Sequence, residues 1–269
     1  MDLGKFEVAL PVKDLARSMA FYEGVGFSRE DGDVDVGVMT LRRGDCRVCL
    51  YGKGHLKPDR LQLIFWQGDI DAIAKMVEEA QIPFFVGPNH ADDGGGAFMI
   101  KDPDDHPLFF IYMPVNFVNH PGHERAMPPR SPTQPLDPDM ALGWFELSLP
   151  VADIRRSCAF YEKLGFRAVR GSLADRHITL QNLDSRVALY EGYLSPDEPQ
   201  LIFWQGDVRA IAAAMTAEGA VPLDRFRDGP KESDEGHVAS MLRDPEGQAI
   251  YLVNIPGVAL SEPAPAGAV

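Results

Sequence analysis

The octapeptide Gln62-Leu63-Ile64-Phe65-Trp66-Gln67-Gly68-Asp69 recurs unchanged as Gln200-Leu201-Ile202-Phe203-Trp204-Gln205-Gly206-Asp207. Eight identical residues that include a tryptophan do not recur by chance in a 269-residue chain, so the sequence is a tandem duplication. Its period of about 139 residues exceeds any solenoid unit and gives each copy the length of a whole domain. Ser18–Phe27 matches Ser157–Phe166 at seven of ten places, and Phe6-Glu7 and Pro11-Val12 return as Phe145-Glu146 and Pro150-Val151. Near the end of each copy, Asp102-Pro103-Asp104 corresponds to Asp244-Pro245-Glu246. Residues 115–140 are rich in proline without an apolar period and read as a linker, while 258–269 read as a flexible tail. The expected domains are therefore 1–114 and 141–257.

Bulk chemistry narrows the function classes. A net charge of −14 without a basic cluster argues against nucleic acid as a partner. No apolar run approaches the roughly 18 residues of a membrane span. The N-terminus lacks a signal-peptide pattern, and three cysteines fit a reducing compartment, so a cytoplasmic location is expected. Cys46-Arg47-Val48-Cys49 is formally a CxxC, but the segment alternates like a strand. Residues three apart on a strand face opposite sides, which disfavours a redox pair or zinc site.

Within copy one, Phe6–Val12 alternates as a strand, and Asp14 caps a helix that runs to about Glu23. Strands are expected at Phe27–Glu30, Val36–Leu41 and Arg47–Tyr51, with Asp31-Gly32 and Gly44-Asp45 as turns between them. Gln62–Gln67 is a further strand, Asp69 caps a helix over Ile70–Ala80, and three more strands follow near Phe84–Val86, Ala97–Ile100 and Leu108–Met113. Each copy thus holds two βαβββ units, an α+β class.

The succession Val12-x-Asp14, Ser18, Phe21-Tyr22 and Gly26-Phe27, with Gly68-Asp69 opening a helix and Asp-Pro-Asp before a last strand, resembles the vicinal oxygen chelate superfamily. Glyoxalase I, bleomycin-resistance proteins, extradiol dioxygenases and methylmalonyl-CoA epimerase belong to it. The resemblance covers nearly the whole chain apart from linker and tail. It implies paired βαβββ units forming a half-open barrel around a cleft, with a metal in that cleft where the member is an enzyme.

By that resemblance the metal-ligand positions are Glu7, Cys49, Gln62 and Phe109 in copy one, and Glu146, Ala188, Gln200 and Tyr251 in copy two. Family members place His, Glu or Gln there. Neither set of ligand positions contains a histidine, so no cofactor is assigned, with room only for a weakly held divalent cation. His55, His90, His106, His177 and His237 read as surface or loop-packing residues.

Strand alternation puts Ile64, Trp66, Phe109, Ile111 and Tyr51 on the face of Glu7 and Gln62, and Ile202, Trp204, Tyr251, Val253 and Tyr190 on that of Glu146 and Gln200. The expected catalytic residues are Glu7 and Glu146. The expected substrate-binding residues are Gln62, Trp66, Phe109, Tyr51, Gln200, Trp204, Tyr251 and Tyr190.

Three functions compete. The first is a glyoxalase- or epimerase-like lyase or isomerase with Glu7 or Glu146 as base, in preference to an extradiol dioxygenase. The second is a metal-free protein of the bleomycin-resistance kind that binds a small organic molecule, its acidic surface favouring cationic ligands. The third is a structural duplicate with one degenerate cleft and a role in oligomerisation, a homodimer being compatible. A plainer alternative is that the aromatic residues only fill a core.

Overall fold

The computed structural model describes residues 1–52, 54–57, 60–114, 142–195 and 198–257. The linker and tail expected at 115–140 and 258–269 lie outside these residues. Copy one runs β1 (Gly4–Pro11), α1 (Leu15–Gly24), β2 (Ser28–Asp33), β3 (Val38–Arg43), β4 (Cys46–Tyr51), β5 (Gln62–Gln67), α2 (Ile70–Glu79), β6 (Phe84–His90), β7 (Gly96–Lys101) and β8 (Pro107–Tyr112). Copy two repeats the plan with β9 (Gly143–Val151), α3 (Ile154–Lys163), β10 (Arg167–Ser172), β11 (His177–Asn182), β12 (Ser185–Glu191), β13 (Gln200–Gln205) and α4 (Val208–Ala217). It closes on the short β14 (Val221–Pro222) and β15 (Lys231–Glu232), then β16 (Val238–Arg243) and β17 (Ala249–Asn254). Asp14, Asp69, Asp153 and Asp207 each accept a backbone N–H at the start of their helix, as capping chemistry requires.

Each copy forms its own mixed sheet. The order is β2-β3-β4-β1-β5-β8-β7-β6 in the first and β10-β11-β12-β9-β13-β17-β16-β14 in the second. Within each βαβββ unit the first and last strands pair in parallel, and the two units of a copy meet antiparallel through β1–β5 or β9–β13. Both sheets are open at their edges. Asp31-Gly32, expected as a turn, lies inside β2, where a register shift between Arg29 and Asp31 absorbs the extra residue.

The recurring octapeptide is explained by its backbone. Leu63 and Phe65 enter the main core, whereas Ile64 belongs to a separate apolar cluster with Trp66 and Phe109 around it. Gln67 holds φ at 63° and Gln205 at 65°, a region most side chains avoid. Each amide clamps the end of the last strand in compensation, Gln67 through both N–H and C=O of Met113 and Gln205 through the C=O and N–H of Ile255. A Cβ on Gly68 or Gly206 would meet the carbonyl oxygen of Leu3 or Leu142 at 2.6 and 2.5 Å, so only glycine fits.

One apolar core runs through both copies, and Phe65 meets Phe166 edge-on across the seam. The Asp-Pro turns close that seam reciprocally. Tyr22 Oη donates to Asp244 (3.0 Å) and Tyr161 Oη donates to Asp102 (3.1 Å), all four residues being buried. Asp104 accepts from Ala152 N and Ser157 Oγ, while Glu246 accepts from the backbone N–H groups of Lys13 and Asp14. His106, expected in a surface or packing role, is buried and bonds Asp102 through Nδ1 at 2.9 Å. A cavity of about 490 Å³ follows the seam, but its carboxylates Asp104, Asp244 and Glu246 are already engaged in these contacts and Glu198 pairs with Arg243.

Removing a phenol leaves a buried carboxyl short of a donor. Tyr22→Phe and Tyr161→Phe should each lower the unfolding free energy by about 1–3 kcal/mol in urea titrations. Losses below about 0.5 kcal/mol for both variants would show that the clasp does not hold the copies together.

Candidate functional site

Glu7 lies near the middle of β1, one of the two central strands of the first sheet, and is only 4% exposed. It faces Ile64 on β5, which in turn faces Phe109 on β8, and cross-strand partners share a face of the sheet. Ala9, two residues along, faces both Cys49 and Gln62. The register therefore gathers Glu7, Cys49, Gln62 and Phe109 on one face of four adjacent strands. Trp66 Nε1 and Thr40 Oγ1 each donate to a Glu7 carboxylate oxygen. Burial nonetheless raises the Glu7 pKa to about 7, against the opposing pull of those donors, of Cys49 and of Arg47.

Above this floor lies a cavity of about 560 Å³. Tyr51, Trp66, Phe109, Ile111 and Met113 give it apolar walls, as alternation anticipates. Gln62 is buried at the start of β5 and is not among the walls; Gln67 is. Several wall positions escaped the sequence reading. Glu30, Asp31 and Asp33 come from β2, and Lys5 from a β1 that begins two residues earlier than expected. Alternation outward from Glu7 finds Lys5 once the strand is extended. His55 and Thr40 also reach the cavity.

The second cleft keeps the floor and covers it with larger side chains. Glu146 is fully buried, accepts from Thr179 Oγ1 (3.1 Å) and Tyr190 Oη (3.2 Å), and has its pKa raised by burial. The Arg170 guanidinium carbon lies 3.9 Å from the centroid of the Trp204 ring, and Trp144 stacks on Trp204 at 5.3 Å. His177, far from being a loop residue, opens β11 and stacks on Tyr190 at 4.4 Å, where burial lowers its pKa to about 4. By the repeat offset, Arg170, Trp144 and His177 stand where copy one has Asp31, Lys5 and Val38. Three larger side chains thus occupy the second cleft. Gln200 is buried beside this group, and Tyr251 packs against the Ile202–Trp204–Val253 cluster.

The first cleft does not suit a metal ion. Both Glu7 oxygens already accept hydrogen bonds, and burial and Glu7 push the Cys49 thiol well above its ordinary pKa. Phe109 contributes no donor, and among the described residues no three His, Cys, Asp or Glu converge. Cys46 sits in the main core while Cys49 faces the cavity, so the CxxC pair points to opposite sides, and both are free thiols.

Solved structures share this architecture. A catechol 2,3-dioxygenase is 18% identical with a TM-score of 0.58, over 97% of this chain and 89% of that one. An extradiol ring-cleaving dioxygenase from B. fuscum is 17% identical with a TM-score of 0.59, over 98% and 74% respectively. A Mn(II)-bound glyoxalase from Novosphingobium aromaticivorans is 16% identical with a TM-score of 0.52, over 92% and 80%. At such identities the likeness concerns the fold. No curated protein sequence matches the chain at a significant level. Residues 6–110 match the family model described as "Glyoxalase/Bleomycin resistance protein/Dioxygenase superfamily". The first copy thus carries the match to that superfamily, and the second copy repeats its motifs and strand order.

Proposed function

We propose that this protein binds a small organic molecule in the first cleft, and that the second cleft is a structural duplicate closed by its own side chains. The observation that carries the reading is the cavity of about 560 Å³ above Glu7 and Trp66, in the size range of small-molecule sites. Glu7, with a pKa near 7, serves there as a hydrogen-bonding partner able to donate or accept. The activities named for the structural neighbours are not assigned to this chain, because its donor set is too small for a metal centre.

A second reading, a lyase or isomerase in which Glu7 abstracts a proton beside a carbonyl, is favoured by that same pKa. Such a reaction also needs a donor for the developing oxyanion. Of the cavity's two cations, Arg47 is held by Glu30 at 2.8 Å, which leaves Lys5 at the rim. Binding is therefore the reading preferred here.

Ile111 and Val253 occupy equivalent positions, beside Trp66 and Trp204 respectively. Ile111→Trp should fill open space, abolishing the binding of fluorinated benzene fragments followed by ¹⁹F NMR at little cost in stability. Val253→Trp should overpack a filled cleft and destabilise by about 1–3 kcal/mol. Equal destabilisation by both, with fragment binding unchanged in Ile111→Trp, would return the first cleft to the role of ordinary core.

Glu7 also imposes a pH dependence. Its folded pKa lies above the ordinary 4.5, so the protonated acid favours the fold. That contribution is complete below the ordinary value and is lost as pH rises through about 7. Relative to Glu7→Gln, the wild type should lose up to about 3 kcal/mol of stability across this window, measured by denaturant unfolding. A constant difference would mean that Glu7 titrates normally.

A further inference from the structure

The second copy contains an occupant for its own cleft. Arg170 places a planar cation 3.9 Å from the Trp204 ring centroid, and its charge pulls the Glu146 pKa down. Among the described residues its Nη1 is buried without a hydrogen-bond partner. The indole face and the carboxylate therefore hold the guanidinium without a bond at that nitrogen. In the first copy the indole, carboxylate, threonine and tyrosine persist as Trp66, Glu7, Thr40 and Tyr51, but Asp31 stands in place of Arg170. What remains is open space with an added negative charge at its edge.

We propose that the first cleft binds a small planar organic cation, an amidinium, a guanidinium or a protonated heteroaromatic ring, lying on Trp66 between Glu7 and Asp31. The assignment rests on the reading of this cleft as a ligand site and names the ligand's charge and shape. Glu7, Glu30 and Asp31 line the walls with Lys5, Arg47 and His55. Since Glu30 engages Arg47 and Lys5 is exposed, the balance around a ligand over Trp66 is negative.

Benzamidine, benzamide and benzoate offer similar rings bearing positive, neutral and negative groups. In calorimetric titrations of the full chain, benzamidine should bind about tenfold more tightly than benzamide, at one molecule per chain, with benzoate weakest. Asp31→Asn should cut the benzamidine advantage severalfold. Asp31→Arg, which transplants the guanidinium of the second copy, should abolish binding of all three, with an unfolding midpoint showing that the variant is folded. Should Asp31→Arg fail to fold, the Asp31→Asn titrations decide the matter alone.

Benzamide or benzoate binding as tightly as benzamidine would overturn the charge assignment and leave the cleft as a ligand site. An unchanged benzamidine advantage in Asp31→Asn would also overturn the assignment. Failure of all three probes to bind the wild type would overturn both the assignment and the proposed function.

Discussion

Tyr22 and Tyr161 donate buried hydrogen bonds to Asp244 and Asp102, and the arrangement of the rest of the chain follows from this exchange. Each phenol comes from the first helix of one copy and each carboxyl from the turn before the last strand of the other. The copies are therefore joined where their helices and Asp-Pro turns meet, and their apolar residues merge into one core. Strand alternation then leaves the opposite face of each sheet free of the seam. Phe65 goes to the shared core and Trp66 to the cleft. The motifs that most resemble the superfamily, Asp14, Ser18, Tyr22 and Asp-Pro-Asp, belong to this assembly and not to the cleft.

Duplication gave both clefts the same difficulty, a carboxyl buried on a central strand. Taking such a group out of water is costly, and in both copies part of the cost is offset by a threonine hydroxyl bonded to the carboxylate. The copies diverge in what covers it. Copy two supplies Arg170, Trp144 and His177, which stack on Trp204 and Tyr190. Copy one supplies Asp31, Lys5 and Val38 and leaves a cavity. One floor is covered by larger side chains in one copy and lies under a cavity in the other.

Much of this was legible in the sequence. The octapeptide revealed the duplication, the aspartate caps located the helices, and period-two alternation placed Glu7, Tyr51, Trp66 and Phe109 on one face. The elements that distinguish the clefts were not legible. Asp31-Gly32 has the composition of a turn, and only the bulge against β3 keeps it in a strand whose side chains reach the cavity. Lys5 and Trp144 precede the alternation that marks β1 and β9, so their place above the floor depends on the extra strand length. His177 carries no local signal of its stacking on Tyr190. The seam, built from residues more than fifty positions apart, has no periodicity to betray it.

The central claim is that one cleft receives a ligand and its duplicate is already full. The chain has three tryptophans, Trp66 in the first cleft and Trp144 and Trp204 in the second, so their indole N–H resonances report on the two sites separately. In a ¹H–¹⁵N spectrum titrated with benzyl alcohol, a neutral aromatic probe, the Trp66 indole signal should move while those of Trp144 and Trp204 stay in place. A moving Trp204 signal with Trp66 unperturbed would contradict the account.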